Sequence, residues 1–370
     1  MRHDGGGYPV YVGTGLLESL VPLVAEQLPG RRTVLIADGT VAELYREWRS
    51  GRPMPWRPRE QTCGDAEPAG WGQPLTFAPG EGSKSRRTWA TLTDQMLELG
   101  YGRDSAIVAL GGGVTGDLAG FVAATYQRGI PFVQVPTTLL AMLDASIGGK
   151  TGVDTSLGKN LVGAFHPPQA VVSDLLTLTT LPDREFRGGL AEAVKHGLIA
   201  DAAHFAWIED HAARIMAREL DALEMLVRRS VAIKAEVVGS DERESGRRAV
   251  LNAGHTVAHG IEQASGYTVT HGEAVAAGLV AECRLGERLG VTEPGTADRV
   301  TQLLGRLYLL SAPPALPAPS VLSAMRRDKK ASGGAIRFAF PARIGVADRD
   351  GVAWTRPVAE SAVLEFLQAG

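Results

Sequence analysis

The stretch AIVALGGGVTGDLAGFVAATY, residues 106–126, sets the fold class of this 370-residue chain. A β-branched apolar run passes directly into glycines and then into a helical pattern, which predicts a strand, a tight turn and a helix. Gly111, Gly113 and Gly116 have the G-x-G-x-x-G spacing of dinucleotide-binding turns. In such turns the backbone amides at the start of the helix hold a pyrophosphate.

By itself this motif leaves two interpretations open. It lies near residue 111 instead of in the first βαβ unit, and the segment FVQVPTT, residues 132–138, lacks the acidic ribose-binding residue expected about twenty positions later. Either the glycines serve only to pack a turn, or a dinucleotide is bound with the help of other residues. The second interpretation is favoured.

Similar apolar runs occur on both sides of this stretch and alternate with helical patterns, which is typical of a parallel α/β sheet. They are TVLIAD (33–38), AIVAL (106–110), FVQVP (132–136) and AVVSDL (170–175). From about residue 181 long helical patterns take over. We therefore expect an α/β dinucleotide-binding domain over residues 1–180 and a mainly α-helical domain over residues 181–370.

Residues 51–80 contain six Pro and five Gly, a composition that breaks helix and strand patterns. They are interpreted as a long surface loop, inserted into the first domain and without a catalytic role.

The composition excludes several functional classes. Hydrophobic residues make up 44% and charged residues 21% of the chain, and the net charge of −3 argues against nucleic acid or a membrane surface as the main partner. Cys63 and Cys283 form no CxxC pair, which argues against a disulfide framework. The N-terminus lacks the apolar core of a signal peptide, and no apolar run has membrane-spanning length. A cytoplasmic protein is expected.

The segment RRAVLNAGHTVAHGIEQASGYTVTHGE, residues 247–273, holds three of the eight histidines. If it is helical as far as Ala264, four polar residues share one face. They are Arg248, Asn252, His255 and His259. Buried polar groups need partners, so such a stripe suits the wall of a site better than a core.

A metal site is one interpretation of these histidines. Gly266 is a plausible helix stop, and His271 begins a segment able to fold back toward His255. Two imidazoles and a carboxylate make a catalytic zinc site with an open position. Thr256 rules out the HExxH metalloprotease pattern. Histidines satisfied by ordinary hydrogen bonds remain the alternative.

Further polar residues have both a functional and an ordinary interpretation. Lys150 and Lys159 stand beside glycines, which suggests phosphate contacts or solvated loop lysines. Glu192 and Lys195 are spaced i, i+3 on a helix, as in a surface salt bridge. Lys234 lies in an apolar stretch, where a lysine often extends its amine to solvent.

The order of the motifs resembles the 3-dehydroquinate synthase family from about Glu81 to Lys330. The stretches that carry the resemblance are GGGVTGDLAGFVAATYQRGIPFVQVPTTLLAMLDASIGGKTGVD, GKNLVGAFHPP, TLPDREFRGGLAEAVKHG, KAEVVGSDERESGRRAVLNAGHTVAHGIE, THGEAVAAGLV and RDKK. Six motifs in the family's order make a chance similarity improbable.

The resemblance implies a site that binds both a metal ion and NAD. It assigns Zn²⁺ or Co²⁺ to Glu192, His255 and His271, and a substrate or proton-relay role to His259. The residues implied for NAD are Glu81, Lys84, Gly113, Val114, Thr115, Gly116, Asp117, Thr137, Thr138, Lys150, Lys159, Thr177, Leu178, Thr179 and Thr180.

The same resemblance implies a substrate site rich in cations. Its residues are Asp144, Lys150, Asn160, Lys195, Lys234, Arg248, Asn252 and one of Lys329 and Lys330. Arg128 is implied as a phosphate contact, contributed by the partner subunit of a homodimer.

The family is a lyase family of the shikimate pathway and converts 3-deoxy-D-arabino-heptulosonate 7-phosphate into 3-dehydroquinate and phosphate. The implied steps are transient oxidation by NAD, β-elimination of phosphate, re-reduction, ring opening and aldol closure. An anionic sugar phosphate matches the clustered Lys and Arg residues.

Three alternatives stay open. One is a related sugar phosphate cyclase, such as an amino-dehydroquinate synthase, because Asp154 and His196 depart from the residues common in the family. Another is an iron- or zinc-dependent polyol dehydrogenase, against which the clustered cations count. The last is a non-catalytic protein that binds NAD and zinc.

Overall fold

A computed structural model describes residues 1–3, 6–46, 74–309, 316–327, 331–332 and 335–369. The chain divides into two compact units, Met1–Leu181 and Pro182–Gly370. This division falls next to the change in sequence character at residue 181.

The first unit is built on a parallel sheet. Its strands are β1 (Arg2–His3), β2 (Gly6–Gly7), β3 (Val10–Gly13), β4 (Arg32–Asp38), β5 (Leu75–Phe77), β6 (Ser105–Gly111), β7 (Phe132–Pro136), β8 (Lys150–Thr155), β9 (Gly158–Phe165) and β10 (Ala170–Asp174). Six of them form one sheet in the order β3-β10-β7-β6-β4-β5, and every neighbouring pair is parallel.

The four strands predicted from apolar runs are confirmed as β4, β6, β7 and β10. All seven residues of β6 are buried, as expected for a parallel strand covered on both faces. Among its described residues, this unit also contains helices α1 (Leu20–Gln27), α2 (Gly39–Leu44), α3 (Arg86–Glu98) and α4 (Gly113–Thr125). Two apolar clusters form its core, one including Leu35 and Val108 and the other including Ile36 and Phe132.

The prediction of a loop over residues 51–80 is wrong at its C-terminal end. Residues 75–77 are strand β5, which pairs with β4 at the edge of the sheet. Leu75 and Phe77 are buried while Thr76 is exposed, so the run has the period of a strand. An alternation of only three residues, in a segment rich in Pro and Gly, is too short to predict a strand from the sequence. Residues 51–73 lie outside the described part of the chain.

The second unit is mainly helical, as predicted. Its helices are α5 (Asp183–Ala200), α6 (Ala202–Met216), α7 (Leu220–Ser240), α8 (His255–Ala264), α9 (His271–Arg288), α10 (Thr296–Arg306), α11 (Ala318–Arg327) and α12 (Glu360–Ala369). Short antiparallel strands accompany them: β11 (Ala331–Ser332), β12 (Ala335–Phe338), β13 (Pro341–Arg343), β14 (Val346–Ala347) and β15 (Arg356–Ala359). The predicted fold class, α/β followed by mainly α-helical, is confirmed.

The prediction of one helix from Arg248 to Ala264 is wrong. Arg247–Asn252 form a 3₁₀ helix, and Gly254 then adopts a left-handed conformation with φ 79° before α8 begins at His255. The carboxylate of Glu282 accepts hydrogen bonds from the backbone amides of Gly254 and Val257, at 2.8 and 3.0 Å. These bonds satisfy amides at the start of α8, so the helix begins there.

Among the described residues, no helix combines the length and the apolar character needed to cross a membrane.

Candidate functional site

Close backbone contacts bring the predicted metal ligands of the second unit together. A Cβ atom added at Gly272 would lie 2.2 Å from the Cα of Gly188, so α5 and α9 meet at a point that tolerates only glycine. Glu192 lies one turn beyond Gly188 on α5, and His271 directly precedes Gly272. The helix contact therefore places the carboxylate beside the imidazole.

A second glycine contact positions His255. A Cβ atom at Gly278 of α9 would lie 2.0 Å from the carbonyl oxygen of Gly254. His255 follows Gly254 as the first residue of α8. Both histidines thus stand at helix starts whose backbone is held against a neighbouring helix.

The resulting cluster has the dimensions of a zinc site. Nε2 of His255 lies 3.4 Å and Nε2 of His271 lies 3.6 Å from Oε1 of Glu192. With metal–ligand bonds of about 2.1 Å, the ligands of a tetrahedral zinc ion are about 3.4 Å apart. One ligand atom from each of the three residues lies within 4.8 Å of the others. The donor set of two imidazoles and one carboxylate therefore fits zinc or cobalt.

The second ring nitrogen of each of these histidines also has an acceptor. Nδ1 of His255 is 3.2 Å from the carbonyl oxygen of Ala253, and Nδ1 of His271 is 3.5 Å from Oε2 of Glu262. Metal-binding histidines in proteins usually donate their other N–H in this way. Sequence reasoning missed Glu262, and also Glu282, because a carboxylate on an amphipathic helix normally faces solvent.

The surroundings shift the pKa values of the two imidazoles in opposite directions. Burial, assisted by the charge of Lys195, holds the pKa of His255 well below its usual 6.5. For His271 burial lowers the pKa, but hydrogen bonds to Glu192 and Glu262 outweigh it and raise the pKa to about 10.

Lys195 joins the cluster as a buried cation. Its ammonium group contacts Oε2 of Glu192, and the side chains are 1% and 0% exposed. The interpretation of this pair as a surface salt bridge is therefore wrong. Lys234 is also buried, which contradicts an amine extended to solvent. The ring of His259 stands edge-on to that of His255, with centroids 5.6 Å apart.

Arg248 and Asn252 lie in the 3₁₀ helix and not on α8 with the histidines. Arg248 is buried and donates to the carbonyl oxygen of Glu242, while Asn252 donates to Glu244 at 2.8 Å. Lys329 and Lys330 lie outside the described residues.

In the first unit most of the residues predicted for NAD follow the carboxyl ends of strands in the parallel sheet, whereas Lys150 and Lys159 lie in the β8–β9 hairpin. Gly113–Asp117 follow β6, Thr137 and Thr138 follow β7, Thr177–Thr180 follow β10, and Glu81 and Lys84 follow β5. This edge is where open parallel sheets bind nucleotides.

The glycine-rich turn also has a packing role. A Cβ atom at Gly111 would lie 2.4 Å from Oγ1 of Thr115, and one at Gly116 would lie 2.9 Å from Oε1 of Gln134. The glycines thus allow α4 to approach the sheet closely. Packing and nucleotide binding are compatible roles for the same turn.

Sequence reasoning missed Asp38 at this edge. Asp38 ends β4, the strand next to β6, and its Oδ2 lies 3.5 Å from Oγ1 of Thr115. The motif predicts an acidic residue about twenty positions after the glycines, whereas Asp38 precedes them in sequence, at the end of TVLIAD.

Lys84 connects the glycine turn to the β8–β9 hairpin. It is 4% exposed and donates to the side chains of Asp117 and Asn160. Burial lowers the pKa of Lys84, but Asp117 and Glu81 raise it above its usual value, so the amine stays charged. Asn160 has a left-handed backbone, φ 54°, and its backbone N–H donates to the carboxylate of Asp154 at 2.8 Å.

The remaining predicted residues of the first unit lie on short elements. Asp144 is half-buried in the helical turn Ala141–Ala145, and Lys150 begins β8 with an exposed side chain. Nζ of Lys159 lies 3.7 Å from Oε1 of Glu81. Arg128 is exposed in a turn and has φ 69°.

Comparison with known proteins decides the family. Residues 74–188 match the model of the 3-dehydroquinate synthase N-terminal domain, and residues 189–331 match that of the C-terminal domain. The chain is 44% identical, over 98% of its length and 95% of the relative's, to 3-dehydroquinate synthase from Acidithiobacillus ferrooxidans (strain ATCC 53993 / BNL-5-31). The chain belongs to the 3-dehydroquinate synthase family.

Solved structures related to this 3-dehydroquinate synthase family member carry the two expected cofactors. A 2-deoxy-scyllo-inosose synthase, in complex with carbaglucose-6-phosphate, NAD⁺ and Co²⁺, has a TM-score of 0.85 and 26% identity, covering 98% of this chain and 96% of its own. The 2-epi-5-epi-valiolone synthase ValA from Streptomyces hygroscopicus subsp. jinggangensis 5008, with NAD⁺ and Zn²⁺, has a TM-score of 0.83 and 28% identity, covering 100% and 98%.

Proposed function

We propose that this chain converts 3-deoxy-D-arabino-heptulosonate 7-phosphate into 3-dehydroquinate and phosphate, with NAD and a divalent metal ion. The observation that carries the proposal is the Glu192–His255–His271 cluster with Lys195 buried against it, in a chain 44% identical to a 3-dehydroquinate synthase. The identity to the two cyclases of other sugar phosphates is 26% and 28%.

Glu192, His255 and His271 would hold Zn²⁺ or Co²⁺. The bound metal ion would supply Lewis acidity toward substrate hydroxyl groups. Lys195 also supports the site, because its positive charge offsets the negative charge of Glu192. Both side chains are buried, so solvent screens the pair little. His259, half-buried beside His255, is suited to hold or pass on a substrate proton.

NAD would lie along the carboxyl edge of the parallel sheet. Amides at the start of α4 would receive the pyrophosphate, and the Asp38 carboxylate would accept hydrogen bonds from a ribose. Thr137, Thr138 and the Thr177–Thr180 turn would border the cofactor. Lys84 donates to Asp117 and Asn160 and would keep both side chains in place, and Nζ of Lys159 lies near Glu81.

The substrate carries a carboxylate and a phosphate, and the chain offers cations for both. Arg248 can bind the carboxylate with two parallel hydrogen bonds, and the buried ammonium groups of Lys195 and Lys234 add positive charge. Lys150, Asp144, Asn160 and Asn252 would complete the binding residues, with Lys329 or Lys330 and with Arg128 of a second subunit. We propose a homodimer that works in the cytoplasm.

The test is a reaction of the purified protein with the heptulosonate phosphate, catalytic NAD and zinc. Phosphate and 3-dehydroquinate are expected in equal amounts without accumulation of NADH, since the hydride returns to the product. Net NADH formation from a simple polyol would favour a dehydrogenase. Absence of phosphate release from folded, zinc-loaded protein would point to another sugar phosphate, with Asp154 and His196 as the first residues to substitute.

A further inference from the structure

One buried carboxylate lies directly behind the metal cluster. Glu262 is on α8 and is 3% exposed, and its Oε2 lies 3.5 Å from Nδ1 of His271, the first residue of α9. The contact joins the end of one helix to the start of the next. It is made on the side of the imidazole opposite to the nitrogen that faces Glu192.

The two histidines of the cluster differ in how firmly their surroundings hold them. The side chain of His255 is 11% exposed and its Nδ1 contacts a backbone carbonyl oxygen. The side chain of His271 is 31% exposed, so packing restrains it less. His271 therefore depends more on its hydrogen-bond acceptor for its orientation, and that acceptor is a charged group.

The backbone of Glu262 is held by local hydrogen bonds. Its carbonyl oxygen accepts hydrogen bonds from the amide of Tyr267 at 2.8 Å and from the hydroxyl of Ser265 at 3.0 Å. Gly266 and Tyr267 have left-handed backbones, with φ 62° and 63°, and turn the chain sharply after α8. The segment between Glu262 and His271 is thus tied back to Glu262 itself.

We propose that Glu262 is a positioning residue for the metal ion. It accepts the Nδ1–H of His271, so that when a metal ion displaces the other ring proton, Nε2 is the nitrogen left to face Glu192 and the metal site. Glu262 does not touch the metal or the substrate. The inference rests on the metal binding of the proposed function and goes beyond it by assigning a residue behind the ligands.

Zinc affinity of the metal-free protein tests this role without reference to activity. The dissociation constant is measured by competition with a chelating dye for the wild type, Glu262→Leu and Glu262→Gln. Leu keeps the bulk and removes the acceptor, and a loss of roughly 10–100-fold in affinity is expected. Gln retains a neutral acceptor oxygen, so its loss should be smaller than that of Leu.

Glu287→Gln provides the matched control. Glu287 is another carboxylate of the helical unit, partly buried where Glu262 is fully buried, and its Oε1 accepts from the backbone amide of Ala297 and not from a histidine. Its zinc affinity should equal that of the wild type. An equal loss in Glu287→Gln and Glu262→Gln would overturn the proposal, since any lost carboxylate would then loosen the site.

A second measurement needs no substitution at Glu262. Long-range ¹H–¹⁵N spectra of the zinc-loaded wild type should show His271 with a proton on Nδ1 and the metal on Nε2. The opposite arrangement, or zinc binding by Glu262→Leu within about twofold of the wild type, would refute the role of Glu262. Failure of the wild type to bind zinc would instead remove the metal from the proposed function and this inference with it.

Discussion

The two units place chemically important residues by different means. In the first unit, candidate NAD residues follow the ends of parallel strands, so the sheet aligns segments that are far apart in sequence. In the second unit, three side chains are aligned by helices that touch at Gly188, Gly272, Gly254 and Gly278. A nucleotide edge made mostly of backbone and short loops should tolerate single substitutions better than a metal cluster that needs each side chain.

The sharpest test of this difference is His271→Ala. Removal of one of three ligands should lower zinc occupancy and reduce turnover by about a thousandfold or more, since the metal contributes several kcal/mol to catalysis. NAD affinity and the circular dichroism spectrum should stay unchanged. His211→Ala, which alters a histidine stacked on Trp207, should retain zinc. Full zinc content in His271→Ala would remove His271 from the ligand set.

Arg248→Ala asks whether the helical unit also binds the substrate carboxylate. Loss of a charge-assisted hydrogen bond should weaken substrate binding by roughly 10–100-fold while NAD binding is kept. The neighbouring Arg247, which pairs with Glu236 at 2.9 Å, provides the control Arg247→Ala. Calorimetric titration with substrate and with NAD measures both affinities. Equal weakening of the two would mean that Arg248 does not bind the substrate carboxylate specifically.

Gly272→Ala tests the helix contact itself. The added methyl group would meet the backbone of Gly188, so α5 and α9 must move apart, at a cost of about 1–3 kcal/mol in the free energy of unfolding. Zinc affinity should fall as well. Gly305→Ala is the control, because nothing lies near its Cβ position in α10 and alanine favours a helix. Denaturation showing equal stability for Gly272→Ala and the wild type would contradict the close contact.

Asp38→Asn tests the nucleotide edge. Asn keeps an oxygen for the amides of Thr40 and Val41, which Asp38 caps at the start of α2, but it removes the charge. NAD affinity should fall by about tenfold, the lower end of the value of a hydrogen bond to a charged group, because the Asn oxygen can still accept a weaker one. Zinc affinity should not change. The exposed Asp94→Asn serves as the reference, and an unchanged NAD dissociation constant in Asp38→Asn would exclude Asp38 from the ribose site.

The smallest expected effect concerns pH. A hydrogen bond from Arg184 lowers the pKa of Glu273 from 4.5 to about 2, so Glu273 stabilises the fold above pH 4.5 and loses this contribution as the pH falls toward 2. Glu273→Gln keeps the capping box at α9. Its midpoint of unfolding should lie below that of the wild type at pH 6 and approach it near pH 2. If the midpoints of the variant and the wild type differ by the same amount at both pH values, Glu273 does not stabilise the fold through its charge.

The sequence predicted the parallel sheet well because its central strands are short, mainly apolar and β-branched runs that alternate with helical patterns. It predicted β5 poorly because three residues carry little periodicity. The break before α8 was missed because His255 and His259 fit a helical spacing whether or not the helix begins earlier. That break depends on Glu282, which lies on another helix and is invisible to local patterns.

The candidate site divides along the same line. Glu192, His255 and His271 were indicated by the order of family motifs, and the structure brings them together. Asp38, Glu262 and Glu282 were missed because their roles depend on which helix or strand lies beside them. The burial of Lys195 and Lys234 was missed for the same reason, since an isolated lysine on a helix is ordinarily exposed.

The contact between Gly188 and Gly272 also bears on which ions the cluster accepts. Two helices that already touch at backbone atoms cannot approach further, and Glu192 and His271 are carried within about one turn of that contact. The spacing between Glu192 and His271 is therefore limited by the backbone. Ca²⁺, which requires six to eight oxygen ligands at about 2.3–2.6 Å, finds a single carboxylate among these three residues. We therefore expect a preference for ions that accept nitrogen ligands to depend on the helix crossing as well as on the ligands.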